Sequence, residues 1–297
     1  MASASLKRWL HFVGGGLGLA GVVFVGVRLY EQAGEIDLAR FGITSWSILG
    51  LLALVYGAAN VLLARAWWCQ LMFFELRTAW PWALRAYGLS QLAKYVPGNI
   101  FHLAGRQALG MAAGFPARPL AKSAAWEFGS IAVVGACFGS LALPLIWPVL
   151  KLPAAIFLFI GLLAALYFFT ARALSKTAAT ALLWQASFLT LSGLLFIGTL
   201  ALVADYDPLL SLSAAIAGAY VVAWLAGLVT PGAPAGVGVR EMVLLLLLED
   251  QVSPEALLLA IILGRIVTVT GDLLFFSAMA INGKLDKAFE RTGNNAK

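Results

Sequence analysis

Two short stretches hold the residues that could do chemistry. The first contains Lys94, Tyr95, Pro97, Gly98, Asn99, His102 and Arg106, and the second Pro231, Gly232, Gly236, Gly238, Arg240 and Glu241. In each, a Pro-Gly pair is followed by an arginine nine residues after the proline, and each arginine precedes a polar residue, Gln107 or Glu241. Proline removes a backbone donor and glycine admits conformations closed to other residues, so each pair breaks a helix. The helix that restarts after a break presents free N–H groups and a positive dipole end, which favour anions. Arginine grips phosphate oxygens with a bidentate fork. The chemistry expected at both breaks is therefore recognition of a phosphate, with Lys94 as a further cation.

The elements that must position these residues are apolar helices. The chain has 297 residues, of which 62% are hydrophobic and 11% charged. A soluble domain carries about a quarter charged residues, so an all-α polytopic membrane protein is expected, built as a single domain over residues 1–297. Apolar runs long enough to cross lie at 9–30, 43–64, 119–143, 153–171, 178–203, 209–229 and 254–281. A shorter run lies at 236–249. Lys7 and Arg8 precede the first run, which is too long for a signal-peptide core and is read as an uncleaved span.

Loop charge orders the spans. Basic residues cluster at the N-terminus, through 65–122, at Arg172 and Lys176, and in the tail, whereas Glu31, Glu35, Asp37, Asp205 and Asp207 mark the opposite side. The alternation closes with eight crossings and both termini cytoplasmic, provided 236–249 also crosses. Fourteen residues rise only about 21 Å as a helix, so the turn before them must lie within the membrane. Segments near 88–106 and 230–241 are thus expected to be broken or re-entrant, and their shared pattern suggests an internal repeat. Paired interrupted segments of this kind point to a binding site. The Trp- and Arg-rich stretch 67–87 has the composition of an interfacial or re-entrant helix.

Three further ionisable residues fall inside apolar runs: Glu127, Arg265 and Asp272. Such groups face a cavity or one another. Glu127 has no partner in its own span and is expected at a cavity. Arg265 and Asp272 are seven residues apart and share a helix face, so they form either an ion pair or part of a ligand path. In an apolar bundle the phosphate belongs to a lipid, and Glu127, Glu241 and Asp272 could receive hydroxyls or an amine of its head group.

Other patterns carry less. Gly16, Gly18 and Gly21 match a dinucleotide fingerprint but lie inside a spanning run, and Gly135 and Gly139 are small residues for close helix contact. Asp205-Tyr206-Asp207 sits in a short loop. Cys69 and Cys137 have no metal-ligand spacing and read as buried thiols, and His11 reads as interfacial. No metal, cofactor or nucleic acid is expected: the net charge of +6 follows the loops rather than a soluble basic surface.

The two stretches together resemble the lysylphosphatidylglycerol synthase transmembrane region, the flippase-like family. The resemblance rests on KYVPGNIFHLAGR and PGAPAGVGVRE, the latter with Ala233-Pro234 inserted into the family's usual glycine run. It implies an eight-crossing bundle of the bacterial inner membrane that handles aminoacylated phosphatidylglycerol or an isoprenoid or polyprenyl-phosphate lipid. Bifunctional members continue into a soluble aminoacyl-transferase domain. About 15 residues follow the last apolar run here, so translocation rather than synthesis is the expected activity. A membrane-embedded transferase with Glu241 as base, and a non-transporting partner of a lipid enzyme, are the alternatives. A homodimer is compatible with the same features.

The charge alternation makes a direct prediction. Cysteines placed in 31–41 and 205–208 should react with an impermeant maleimide from outside, and those in 172–177 and 284–297 only after permeabilisation. External labelling of the tail would exclude the eight-crossing arrangement.

Overall fold

The computed structural model describes the backbone of residues 41–96, 101–204, 206–230, 236 and 238–294, and the side chains of these outside 206–211 and 282–294. Every regular element among the described residues is helical: α1 (Ile43–Phe73), α2 (Trp80–Ser90), a 3₁₀ turn (Gln91–Tyr95), α3 (Phe101–Ala112), α4 (Ala117–Cys137), α5 (Gly139–Ile146), α6 (Leu152–Ala173), α7 (Lys176–Leu200), α8 (Tyr206–Val229), α9 (Val239–Leu248) and α10 (Pro254–Asn294). Six stretches are long and apolar enough to cross a membrane: α1, the nearly continuous Ala117–Ile146, α6, α7, Leu212–Val229 of α8 and Pro254–Ile281 of α10. The chain is a multi-pass membrane protein by this criterion. The run expected at 9–30, with His11 and Gly16, Gly18 and Gly21, lies outside the described residues.

Local chemistry sets the helix ends. Ser175 caps α7, its Oγ accepting the Ala178 N–H at 3.0 Å. Proline occupies the first turn of α2 and of α6, where its missing N–H is no loss. Between α4 and α5 the chain tightens at Phe138, whose N–H reaches Gly135 O, and the helix resumes at Gly139.

The short elements are the informative ones. Helices α2, α3 and α9 have 11, 12 and 10 residues, so they rise only about 15–18 Å, roughly half of the hydrocarbon thickness. Helix α2 packs on α1, α3 and α10, while α9 packs on α8 and α10. The stretch 67–87 divides accordingly: its first part completes α1, and its second part begins α2 after a turn at Glu75. Trp68 Nε1 donates to Thr78 O at 2.9 Å across that turn, and Arg65 stacks on Trp68 and Trp80.

Helices α1, α7 and α10 form the centre, each packing on the other two. Helix α6 is peripheral. Little of its apolar surface is buried, and Phe157, Phe168 and Phe169 are exposed. Small residues bring central backbones together: a Cβ at Gly57 would stand 2.9 Å from Gly271 O, and one at Gly271 would stand 2.7 Å from Ala53 O. Gly135 meets Leu225 and Gly139 meets Val222, which is the close helix contact their spacing implied. Cys69 is buried as expected, whereas Cys137 is only partly buried.

The Gly57–Gly271 approach is therefore expected to be intolerant of side chains. Gly271→Ala should lower the detergent-solubilised unfolding midpoint, since overpacking costs about 1–3 kcal/mol. Gly50→Ala, which meets nothing within 4 Å, should not.

Candidate functional site

A cavity opens where the short elements meet the central helices. Lys94, Tyr95, His102, Glu127, Arg240 and Arg265 of the expected residues line it. They come from the 3₁₀ turn, α3, α4, α9 and α10, so the two broken regions do converge on one space. Tyr56, Tyr87, Gln91 and Thr268 add polar groups, and Leu63, Phe128, Ile131, Phe188, Trp224 and Leu228 make an apolar wall.

The most buried charge is Asp272, which has no exposed surface. Its Oδ1 accepts Nδ2 of Asn60 at 3.2 Å and Nε2 of Gln91 at 3.3 Å. Its Oδ2 accepts the Tyr95 hydroxyl and pairs with Lys94 Nζ at 2.7 Å. Gln91 also donates to Asn60 Oδ1 at 2.6 Å. A carboxylate in an apolar bundle needs this density of donors, and the donors tie α1, the 3₁₀ turn and α10 into one unit.

Of the two readings of Arg265 and Asp272, the ion pair is not formed. Asp272 and Arg265 share a face, but seven residues separate them by about 10.5 Å along the axis, and no bond joins them. Each finds a nearer partner on another element. Arg265 donates from Nε to Glu241 Oε1 at 2.7 Å, joining α10 to α9.

Glu127 also has a partner that its own helix could not show. Arg106 Nη1 donates to Glu127 Oε1 at 2.8 Å, and the Tyr87 hydroxyl approaches the same oxygen at 3.5 Å. Arg106 is 2% exposed. Its guanidinium lies 4.3 Å from the centre of the Tyr87 ring and 5.2 Å from that of Trp67, within cation–π range. It stands behind the cavity wall and holds Glu127 from there. Glu127 Oε2 is buried with no partner among the described residues. A hydroxyl-and-amide cluster backs this pair: Gln70 and Gln185 both donate to Ser130 Oγ, at 3.2 and 3.0 Å.

The two arginines, matched in sequence, thus differ in place. Arg106 is the sixth residue of α3, in its second turn, whereas Arg240 is the second residue of α9. Only Arg240 stands at a helix start, and no side chain caps that end. Gly236 and Gly238 have φ of +73° and +85°, a region that disfavours any side chain. Gly236 also approaches Gly227 so closely that a Cβ on either would come 2.8 Å from the other's Cα. The Arg240 side chain lies across this glycine contact, with Nε 2.9 Å from where a Gly236 Cβ would be. The glycines of the second motif therefore make the groove in which Arg240 runs to the cavity. Among the described residues Arg240 makes no ion pair, its Nε has no hydrogen-bond partner, and its guanidinium stands 5.9 Å from the Trp224 ring.

His102 lines the cavity with Nδ1 buried and unpartnered among the described residues. Pro97, Gly98, Asn99, Pro231, Gly232 and Asp205 lie outside the described residues. Sequence reading passed over Tyr56, Asn60, Tyr87 and Gln91. Asn60 and Gln91 carried a signal, because an amide within a membrane-buried stretch needs a partner as a charge does. Among the described residues no cluster of His, Cys, Asp or Glu could hold a metal. No family model matches the chain, and no curated protein matches it.

The buried Arg106–Glu127 pair makes a prediction. Glu127→Gln leaves the guanidinium without its counter-charge and should reduce folded yield, since breaking a buried pair costs about 3–5 kcal/mol. Arg106→Met combined with Glu127→Met should recover much of that yield in size-exclusion profiles.

Proposed function

We propose that this protein moves a lipid with an anionic, phosphate-type head group across a bacterial inner membrane, and that Arg240 holds the head group. The observation that carries this reading is the balance of charge around the cavity. Lys94 is matched by Asp272, Arg106 by Glu127 and Arg265 by Glu241. Arg240 is left without a carboxylate among the described residues, so the cavity offers one uncompensated positive charge. A cation in an apolar bundle favours an anionic guest. The uncapped start of α9 adds a positive dipole end at the same point, and the apolar wall suits the hydrocarbon next to the head group. The resemblance to the flippase-like family supports the same reading, with aminoacylated phosphatidylglycerol or a polyprenyl phosphate as the lipid and both termini in the cytoplasm.

The transferase alternative has weaker support. It needs Glu241 as a base, and Glu241 accepts the Arg265 guanidinium. That pair joins α9 to α10, and Glu241 is not among the residues that line the cavity.

The test uses the protein reconstituted into vesicles containing fluorescent phosphatidylglycerol, with an impermeant reductant reporting translocation. Arg240→Ala should slow flipping at least about tenfold, consistent with loss of a charge-assisted contact worth about 1.5–3 kcal/mol. Arg240→Lys should recover it only in part, because lysine lacks the fork. Unchanged flipping in well-folded Arg240→Ala protein would remove Arg240 from the site.

A further inference from the structure

The charge that the cavity presents can be summed residue by residue. Among the described residues its lining carries Lys94, His102, Glu127, Arg240 and Arg265, besides phenols that are neutral near pH 7. Three ion pairs close at zero: Lys94 with Asp272, Arg106 with Glu127 and Arg265 with Glu241. His102 Nδ1 is buried without a partner among the described residues, so an imidazolium would leave one N–H unanswered and the ring counts as neutral. Arg240 then remains as a single positive charge. The parts of the two breaks outside the described residues, 97–100, 231–235 and 237, hold only Pro, Gly, Asn, Ile, Ala and Val and add nothing to the sum.

A guest with one negative charge completes this sum. Charge left over in an apolar interior is costly. A doubly charged guest leaves one negative charge unanswered. Drawing Lys94 from Asp272, or Arg265 from Glu241, does not answer it, because the carboxylate released carries the same deficit. A guest with an amine brings a further cation, and the three carboxylates that could receive it are already paired. A phosphodiester has one ionisable oxygen and keeps one charge, whereas a phosphomonoester loses a second proton near about pH 6.

We propose that the cavity selects a phosphodiester head group without an amine, over a phosphomonoester dianion and over an aminoacylated head group. This selection rests on the reading of Arg240 as the residue that holds the head group, and it narrows the lipids that the family resemblance suggests. The planar fork of arginine spans two oxygens at once, and a diester offers two unesterified oxygens that share its one charge. The Arg240 side chain lies across the Gly227–Gly236 contact, which holds the fork in one place at the cavity.

A phosphomonoester can still enter with one proton on it. Its apparent affinity then follows the singly charged fraction, which falls about tenfold per pH unit above its second pKa. A diester has no such step. The ratio of the two affinities therefore reads the proton of the lipid itself, because titration of a protein group acts on both singly charged guests alike and drops out of the ratio.

The experiment uses purified protein in detergent with bound fluorescent phosphatidylglycerol. It measures displacement by dihexanoyl phosphatidylglycerol, phosphatidylmethanol, phosphatidate and lysylphosphatidylglycerol from about pH 6 to about pH 8. The two diesters should bind alike, since they share a charge and differ in the glycerol. Phosphatidate should come within about twofold of them at the lower pH and fall about a hundredfold behind at the upper. The lysylated lipid should bind more weakly than either diester throughout. Glu241→Gln leaves Arg265 at the cavity without its carboxylate; at the upper pH it should raise phosphatidate relative to phosphatidylglycerol at least about tenfold, the size of one charge-assisted contact. Should that variant not fold, the wild-type ratio decides by itself. Phosphatidate as tight as the diesters at the upper pH, tighter binding of the lysylated lipid, or an unchanged ratio in folded Glu241→Gln protein would overturn the selection and leave the anion site standing. So would a preference for phosphatidylglycerol over phosphatidylmethanol as large as that over phosphatidate. Absence of binding by every anionic lipid, the fluorescent one included, would overturn both.

Discussion

A charge inside an apolar bundle has to be answered by another charge or by a cluster of donors, and this requirement organises the centre of the molecule. Asp272 shows it most plainly. Its two oxygens draw in Asn60 of α1 and Gln91, Lys94 and Tyr95 of the 3₁₀ turn. A turn of five residues has little surface of its own to bury, and van der Waals packing alone would hold it weakly. The polar cluster pins it to α1 and α10, and the cavity inherits its wall from that attachment.

The same requirement explains which cation is left available. Helix α3 brings Arg106 to Glu127, and α9 brings Glu241 to Arg265. Once these pairs and the Lys94–Asp272 pair have formed, the positive charge of Arg240 is the part of the described cavity that a ligand can complete. The carboxylates of these pairs are engaged in holding elements together, and the proposed anion site rests on the cation that this leaves.

Packing makes the polar arrangement geometrically attainable. The Gly57–Gly271 contact lets α1 and α10 approach to backbone distance, which places Asn60 and Asp272 within hydrogen-bonding range three and one residues further along. The Gly227–Gly236 contact brings Gly236 against α8, with the Arg240 side chain lying across it. In both places the glycines lie a few residues from a polar side chain that their close contact helps to place.

The amino-acid sequence by itself determined the class of fold, most of the spans and the place of both breaks. Hydropathy over about 20 residues and the local effects of Pro and Gly act within one segment, and such effects can be read without knowing what the segment touches. Lys94, Glu127 and Arg240 line one cavity whereas Arg106, Glu241 and Asp272 do not; buried charge is expensive enough to mark itself in a sequence, but not to say which space each side chain faces. What each charge pairs with was decided only by tertiary structure. Arg265 and Asp272 share a face but not a bond, since neighbours on other helices lie closer than the 10.5 Å or so that separates them along their own. Arg106 and Arg240 hold equivalent places in matching motifs, yet α3 starts five residues before its arginine and α9 only one. That difference in register turns one guanidinium into the protein and leaves the other at the cavity, and register within a helix that follows a break is set by contacts across the bundle, which no local pattern encodes.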